Sequence, residues 1–92
     1  MKFCVESKTR VSATKIVTEE RFTDDFDDAL RTFAYLYLSG EHYSVNIYDT
    51  ETGEVYATYG SLSGKVWLSD TTTDHLSYVI ECARVYKCLT EI

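Results

Sequence analysis

The order of extended and helical segments predicts an α+β fold for this chain. The expected architecture is an antiparallel sheet of about five strands with two helices, in the order ββαβββα, as a single domain over residues 1–92. Three observations carry that expectation. Apolar residues Phe26, Ala29, Leu30, Phe33 and Tyr37 form one stripe of a 3.6-residue period, and Gly40 after Ser39 supplies a left-handed helix stop. Tyr43 to Asp49 and Glu54 to Gly60 flank Thr50-Glu51-Thr52-Gly53, the pattern of a tight hairpin. From about Thr73 to Leu89 the apolar residues make two stripes, Leu76-Val79-Ile80-Ala83-Tyr86 and Tyr78-Cys82-Val85-Leu89. A helix apolar on so much of its circumference packs on two sides, against the N-terminal strands or against another chain.

The remaining elements follow in order. Residues 2–6 and 11–22 read as two strands of an N-terminal hairpin, with Lys8-Thr9-Arg10 as its polar turn. Thr23 or Asp24 caps the first helix. Asp24, Asp25, Asp27 and Asp28 then fall in its first turns, where unpaired backbone N–H groups and the helix dipole favour negative charge by ~0.3–1 kcal/mol each. The same acids are the candidate patch for a basic partner. They lack the glycine and terminal glutamate of a calcium loop. Ser61-Leu62-Ser63-Gly64 is a turn, Lys65 to Ser69 a third strand of the central meander, and Thr71 with Asp74 a capping pattern before the last helix.

Hairpin loop length decides which side chains share a face. With Glu51-Thr52-Gly53 as a three-residue loop and Gly53 left-handed, Tyr48 faces Tyr56, Ile47 faces Ala57 and Val45 faces Tyr59. A four-residue loop puts Tyr48 beside Val55 and segregates polarity less cleanly, so the three-residue register is expected. Tyr48, Tyr56 and Trp67 then lie together on the face away from the helices, edged by Asn46 and Thr58. Two outcomes are open for these rings: an exposed interaction patch, or a second small core beneath N-terminal strands folded across that face.

Composition removes several functional classes. The 92 residues carry a net charge of −6, and bases outnumber acids only within residues 1–18, at Lys2, Lys8, Arg10 and Lys15 against Glu6. That stripe is too weak for direct nucleic-acid binding. No apolar run is long enough to cross a bilayer, and Met1 to Val5 is followed at once by charges, which predicts a cytoplasmic chain. Cys4, Cys82 and Cys88 lack metal-ligand spacing and read as free buried thiols, and His42 and His75 as ordinary loop and helix-start residues. Nothing in the sequence joins a thiol to a histidine as a nucleophilic pair, so the expectation is a non-enzyme without cofactor or metal.

The order helix, three strands, helix over residues 24–89 resembles double-stranded-RNA-binding domains. Those domains carry lysines at the start of the second helix, where this chain reads Thr71-Thr72-Thr73-Asp74-His75, so their RNA binding does not transfer. A small, acidic, tyrosine-rich chain without proline, whose helix leads into Asp49-Thr50-Glu51-Thr52-Gly53-Glu54-Val55, also resembles phage and mobile-element accessory proteins, anti-CRISPR inhibitors among them. That resemblance implies an inhibitor of a nucleic-acid-handling bacterial defence complex, meeting a basic protein surface through Asp24, Asp25, Asp27, Asp28, Tyr48, Tyr56 and Trp67. The alternative is a homodimeric structural or regulatory module, pairing through the terminal helix or the aromatic sheet face.

Overall fold

A computed structural model describes residues 1–78. The sequence-predicted stripes over Val79–Leu89, with Cys82 and Cys88, lie outside the described residues. The element order is β1 (Phe3–Ser12), β2 (Lys15–Thr23), α1 (Phe26–Leu38), β3 (Ser44–Asp49), β4 (Val55–Gly60), β5 (Lys65–Leu68) and α2 (Asp70–Tyr78). The strands form one five-stranded antiparallel sheet in the order β2-β1-β3-β4-β5, an α+β fold with the predicted order ββαβββα.

The period-2 alternation of β1 fits its central place. Phe3, Val5 and Ser7 face α1, with Val45 and Ile47 beside them on β3. Onto these α1 lays Ala29, Leu30, Phe33, Ala34, Leu36 and Tyr37, all buried. Two aromatic groups finish the core. Phe3, Phe26 and Tyr56 meet with centroid separations of 5.1, 5.5 and 5.3 Å, and Phe33, Tyr37 and Tyr59 run in series at 5.3 and 5.4 Å. Burial of one such ring stabilises the fold by about 1.5–3 kcal/mol.

Several boundaries differ from the sequence reading. The first turn is Ala13-Thr14, with Ser12 opposite Lys15, and Lys8-Thr9-Arg10 lies inside β1. Thr9 and Arg10 are polar because the hairpin runs past the body of the sheet there; β3 accompanies β1 no further than Lys8 opposite Ser44. The N-cap of α1 is Asp25, whose carboxylate accepts from Asp27 N–H, rather than Thr23 or Asp24. Both neighbours are otherwise engaged: Thr23 Oγ1 accepts from Asp25 N–H, and Asp24 accepts from Lys2 N–H. At α2 the cap is Ser69, which accepts from Thr72 N–H, so the helix starts at Asp70 and not near Thr73. Thr72 is fully buried and its hydroxyl donates to the Tyr56 carbonyl, pinning the helix to β4.

The largest correction concerns β3–β4. Asp49 N–H donates to the Glu54 carbonyl, so the loop is the four residues Thr50 to Gly53. Tyr48 stands opposite Val55, while Ile47 still stands opposite Ala57 and Val45 opposite Tyr59. A β-bulge at Tyr56 reconciles the two: the extra residue turns Tyr56 to the same side as Ala57, and both are buried. Tyr56 therefore belongs to the helix-facing core. Nor do the N-terminal strands fold across the opposite face; they extend the sheet sideways beyond β3.

Candidate functional site

Strand register arranges the face away from α1 in rows. One row runs Phe22, Cys4, Tyr48, Val55; the next Glu20, Glu6, Asn46, Thr58, Trp67; the third Thr18, Lys8, Ser44, Gly60, Lys65. Of the expected aromatic patch, Trp67 is on this face and 52% exposed, and Tyr48 is on it and half-buried. They belong to different rows on strands separated by β4, so the three rings are not brought together. Exposed apolar groups on this face that the sequence reading assigned to no site are Ile16, Phe22 and Val55, the last two at the ends of the row of Tyr48. Only the bulge at Tyr56 and the true first turn place them there, and neither has a signal in the local composition.

Tyr48 has a polar anchor. Its hydroxyl donates to Glu20 Oε2 at 3.1 Å, and the Cys4 thiol approaches the same oxygen at 3.6 Å. Burial pushes the Cys4 thiol up, and Glu20 and Glu6 push it further, against an opposing hydrogen bond with Tyr48. Tyr48 is also held protonated, first by that bond to Cys4, then by burial and by Glu20. The cluster bridges β2, β1 and β3, and a buried thiol with a raised pKa is a poor nucleophile. Among the described residues, no three His, Cys, Asp or Glu side chains form a group that could hold a metal ion.

The acids gather at one end of the molecule. Phe3 stands between Thr23 and Asp49, so Asp24 to Asp28 and the loop bearing Glu51, closed by Glu54, leave the sheet side by side. Ser69 N–H donates to the Tyr56 carbonyl and brings Asp70 to this end as well. His75 Nε2 lies 2.6 Å from Asp27 Oδ1, its ring edge-on to Phe26 at 4.9 Å, which ties α2 to the first turn of α1. Of the four aspartates expected to meet a partner, Asp24, Asp25 and Asp28 are exposed and Asp27 is half-buried against His75. Asp49 differs in kind. It is buried, and its carboxylate accepts from the Thr52 and Glu51 N–H groups and the Tyr56 hydroxyl. Those backbone donors, the Tyr56 hydroxyl and the Lys2 charge hold its carboxyl below the usual carboxylate range.

Lys8, Arg10, Lys15 and Lys65 occupy the opposite end with Glu41 and His42. There an open cavity of about 290 Å³ lies among Arg10, His42, Tyr43 and Leu62, with the Arg10 guanidinium 5.2 Å from the Tyr43 ring centre. His42 Nδ1 and the Thr9 hydroxyl are 3.0 Å apart, fixing the loop after α1 against β1. Among the described residues no helix is long and apolar enough to cross a membrane. No family model, curated protein or solved structure matches the chain.

Proposed function

We propose that this chain is a non-enzymatic binding protein, an inhibitor of the anti-CRISPR kind whose acidic end occupies a basic, nucleic-acid-handling surface of a bacterial defence complex. The observation that carries this reading is the convergence of Asp24, Asp25, Asp28, Glu51, Glu54 and Asp70 at one end, drawn from three separate chain segments. Helix capping accounts for Asp25 alone among the aspartates before α1. Exposed carboxylates in such an array accelerate encounter with a basic groove and compete with phosphates for it. Trp67 and Tyr48 add contact area beside the acidic end.

The test is inhibition. A purified CRISPR effector complex recovered with the tagged chain from a bacterial lysate should lose target-DNA binding when the chain is added. Asp28→Lys with Glu51→Lys, two exposed positions, should slow association and flatten its salt dependence while the fold is kept. A chain that recovers no nucleic-acid-handling complex, or a folded double variant with unchanged inhibition, would overturn the reading.

A further inference from the structure

The two edges of the sheet are treated differently. β5 is four residues long and leads directly into α2, whereas β2 runs nine residues with eight of them exposed. Long edges with unpaired N–H and C=O groups template strand addition unless charges or bulges spoil the match. β2 does carry charges, at Lys15, Glu19, Glu20 and Arg21, but its exposed apolar residues Ile16 and Phe22 are placed symmetrically about Glu19.

We propose that β2 pairs antiparallel with β2 of a second copy, about a two-fold axis at Glu19, to give a continuous ten-stranded sheet. A two-fold perpendicular to the sheet keeps side chains on their faces only when the paired positions are both odd or both even. About Glu19, Ile16 stands opposite Phe22 of the second copy, twice over. These are the two exposed apolar residues of β2 on the open face, 46% and 51% exposed in the single chain. Lys15 stands opposite Thr23 of the second copy, where that copy's Asp24 and Asp25 begin, so basic arm meets acidic end on both sides. The two Glu19 carboxylates meet at the axis. Each already has its own Arg21 at 3.0 Å, and the second copy's Arg21 stands diagonally across.

The neighbouring registers are worse. An axis at Thr18 sets Lys15 against Arg21 and Ile16 against Glu20. An axis at Glu20 sets that carboxylate against its own copy and Ile16 against Asp24. Both set Ile16 against an acid and leave Phe22 facing a threonine, whereas only the axis at Glu19 pairs the two apolar side chains with each other. The edge therefore takes a second copy in one register.

Sedimentation equilibrium of the full chain should show a monomer–dimer equilibrium. Phe22→Ser should raise its dissociation constant at least roughly tenfold, because two symmetric pairs are lost together, and should leave melting unchanged. Register is read by cysteine substitution: residues facing each other across the axis have Cα atoms about 4.5–5.5 Å apart, within reach of a disulfide. Glu19→Cys should oxidise to a dimer bridged at the substituted position, which peptide mass spectrometry separates from bridges at native cysteines. Thr18→Cys and Glu20→Cys should not. A chain monomeric at every concentration, dimers unaffected by Phe22→Ser, or equal bridging at all three positions would overturn the proposal. These measurements need only the chain itself, so their outcome is independent of whether a defence complex is inhibited.

Discussion

At the β3–β4 turn, Asp49 reaches forward to two loop N–H groups, Gly53 takes a φ of +75°, and the bulged Tyr56 returns to donate to Asp49. At the β1–β2 turn, Ala13 and Thr14 both keep negative φ, every residue from Arg10 to Phe22 is exposed, and Val11 is the unpaired residue of a bulge. The first hairpin end is held by side chains that belong to the core. The second is held by backbone pairing and one exposed side-chain bond, from Thr14 N–H to the Ser12 hydroxyl, with no core side chain. Substitutions at the first should therefore move the melting of the whole domain, while those at the second should act locally.

The largest effect is expected at Tyr56. Its ring meets Phe3 and Phe26, and its backbone carbonyl takes bonds from Ser69 N–H and the Thr72 hydroxyl. Tyr56→Ala should lower stability by about 3–5 kcal/mol in denaturant titration, as removal of a buried aromatic does. Trp67→Ala, made at an exposed site, should stay within about 0.5 kcal/mol. Equal losses at the two positions would mean that Trp67 is buried too and that the two faces of the sheet do not differ as described.

Asp49 comes next, with a sign fixed by its environment. A carboxyl held below its ordinary value contributes stability that is complete above about pH 4 and is lost as the pH falls through the lower folded value. Asp49→Asn keeps an acceptor for the Glu51 and Thr52 N–H groups but has no charge to titrate. As the pH falls below about 4, the wild-type chain should lose stability more steeply than this variant, measured by thermal melting across pH. Parallel slopes would remove Asp49 from the acid response.

Much of the fold was legible. The stripe from Phe26 to Tyr37 predicted α1 because every residue on it is needed to cover β1 and β3. Alternation alone predicted the strands, and Gly40 and Gly53 marked left-handed turns that the backbone does adopt. What failed was register. Polarity segregation favoured a three-residue loop because it treats β4 as regular, and a bulge costs one residue of register without any glycine or proline to announce it. The patch of Tyr48, Tyr56 and Trp67 failed with it, since one slipped residue moves a ring to the other face. The first turn was misplaced for the opposite reason: Lys8-Thr9-Arg10 looks like a turn because it is polar, while Ala13-Thr14 holds no glycine, asparagine or proline and is marked only by the flanking Ser12 hydroxyl.

That weak turn supports the smallest prediction. Two-residue hairpin loops prefer type I′ or II′ geometry, whose twist matches the strands, and I′ requires positive φ at both positions. Ala13 and Thr14 disfavour positive φ, and the structure keeps both negative, with the bulge at Val11 absorbing the mismatch. Ala13→Asn with Thr14→Gly permits the I′ turn. Because the arm projects beyond the core, the gain should be local: slower hydrogen exchange at the amides of Arg10 to Val17, and a global change below about 1 kcal/mol. Since β2 would then run straight to its tip, the same variant should also tighten pairing between Lys15 and Thr23 of a second copy, seen as a lower dissociation constant in sedimentation. Faster exchange at the tip would show that the bulge at Val11, rather than the turn, sets the shape of the arm.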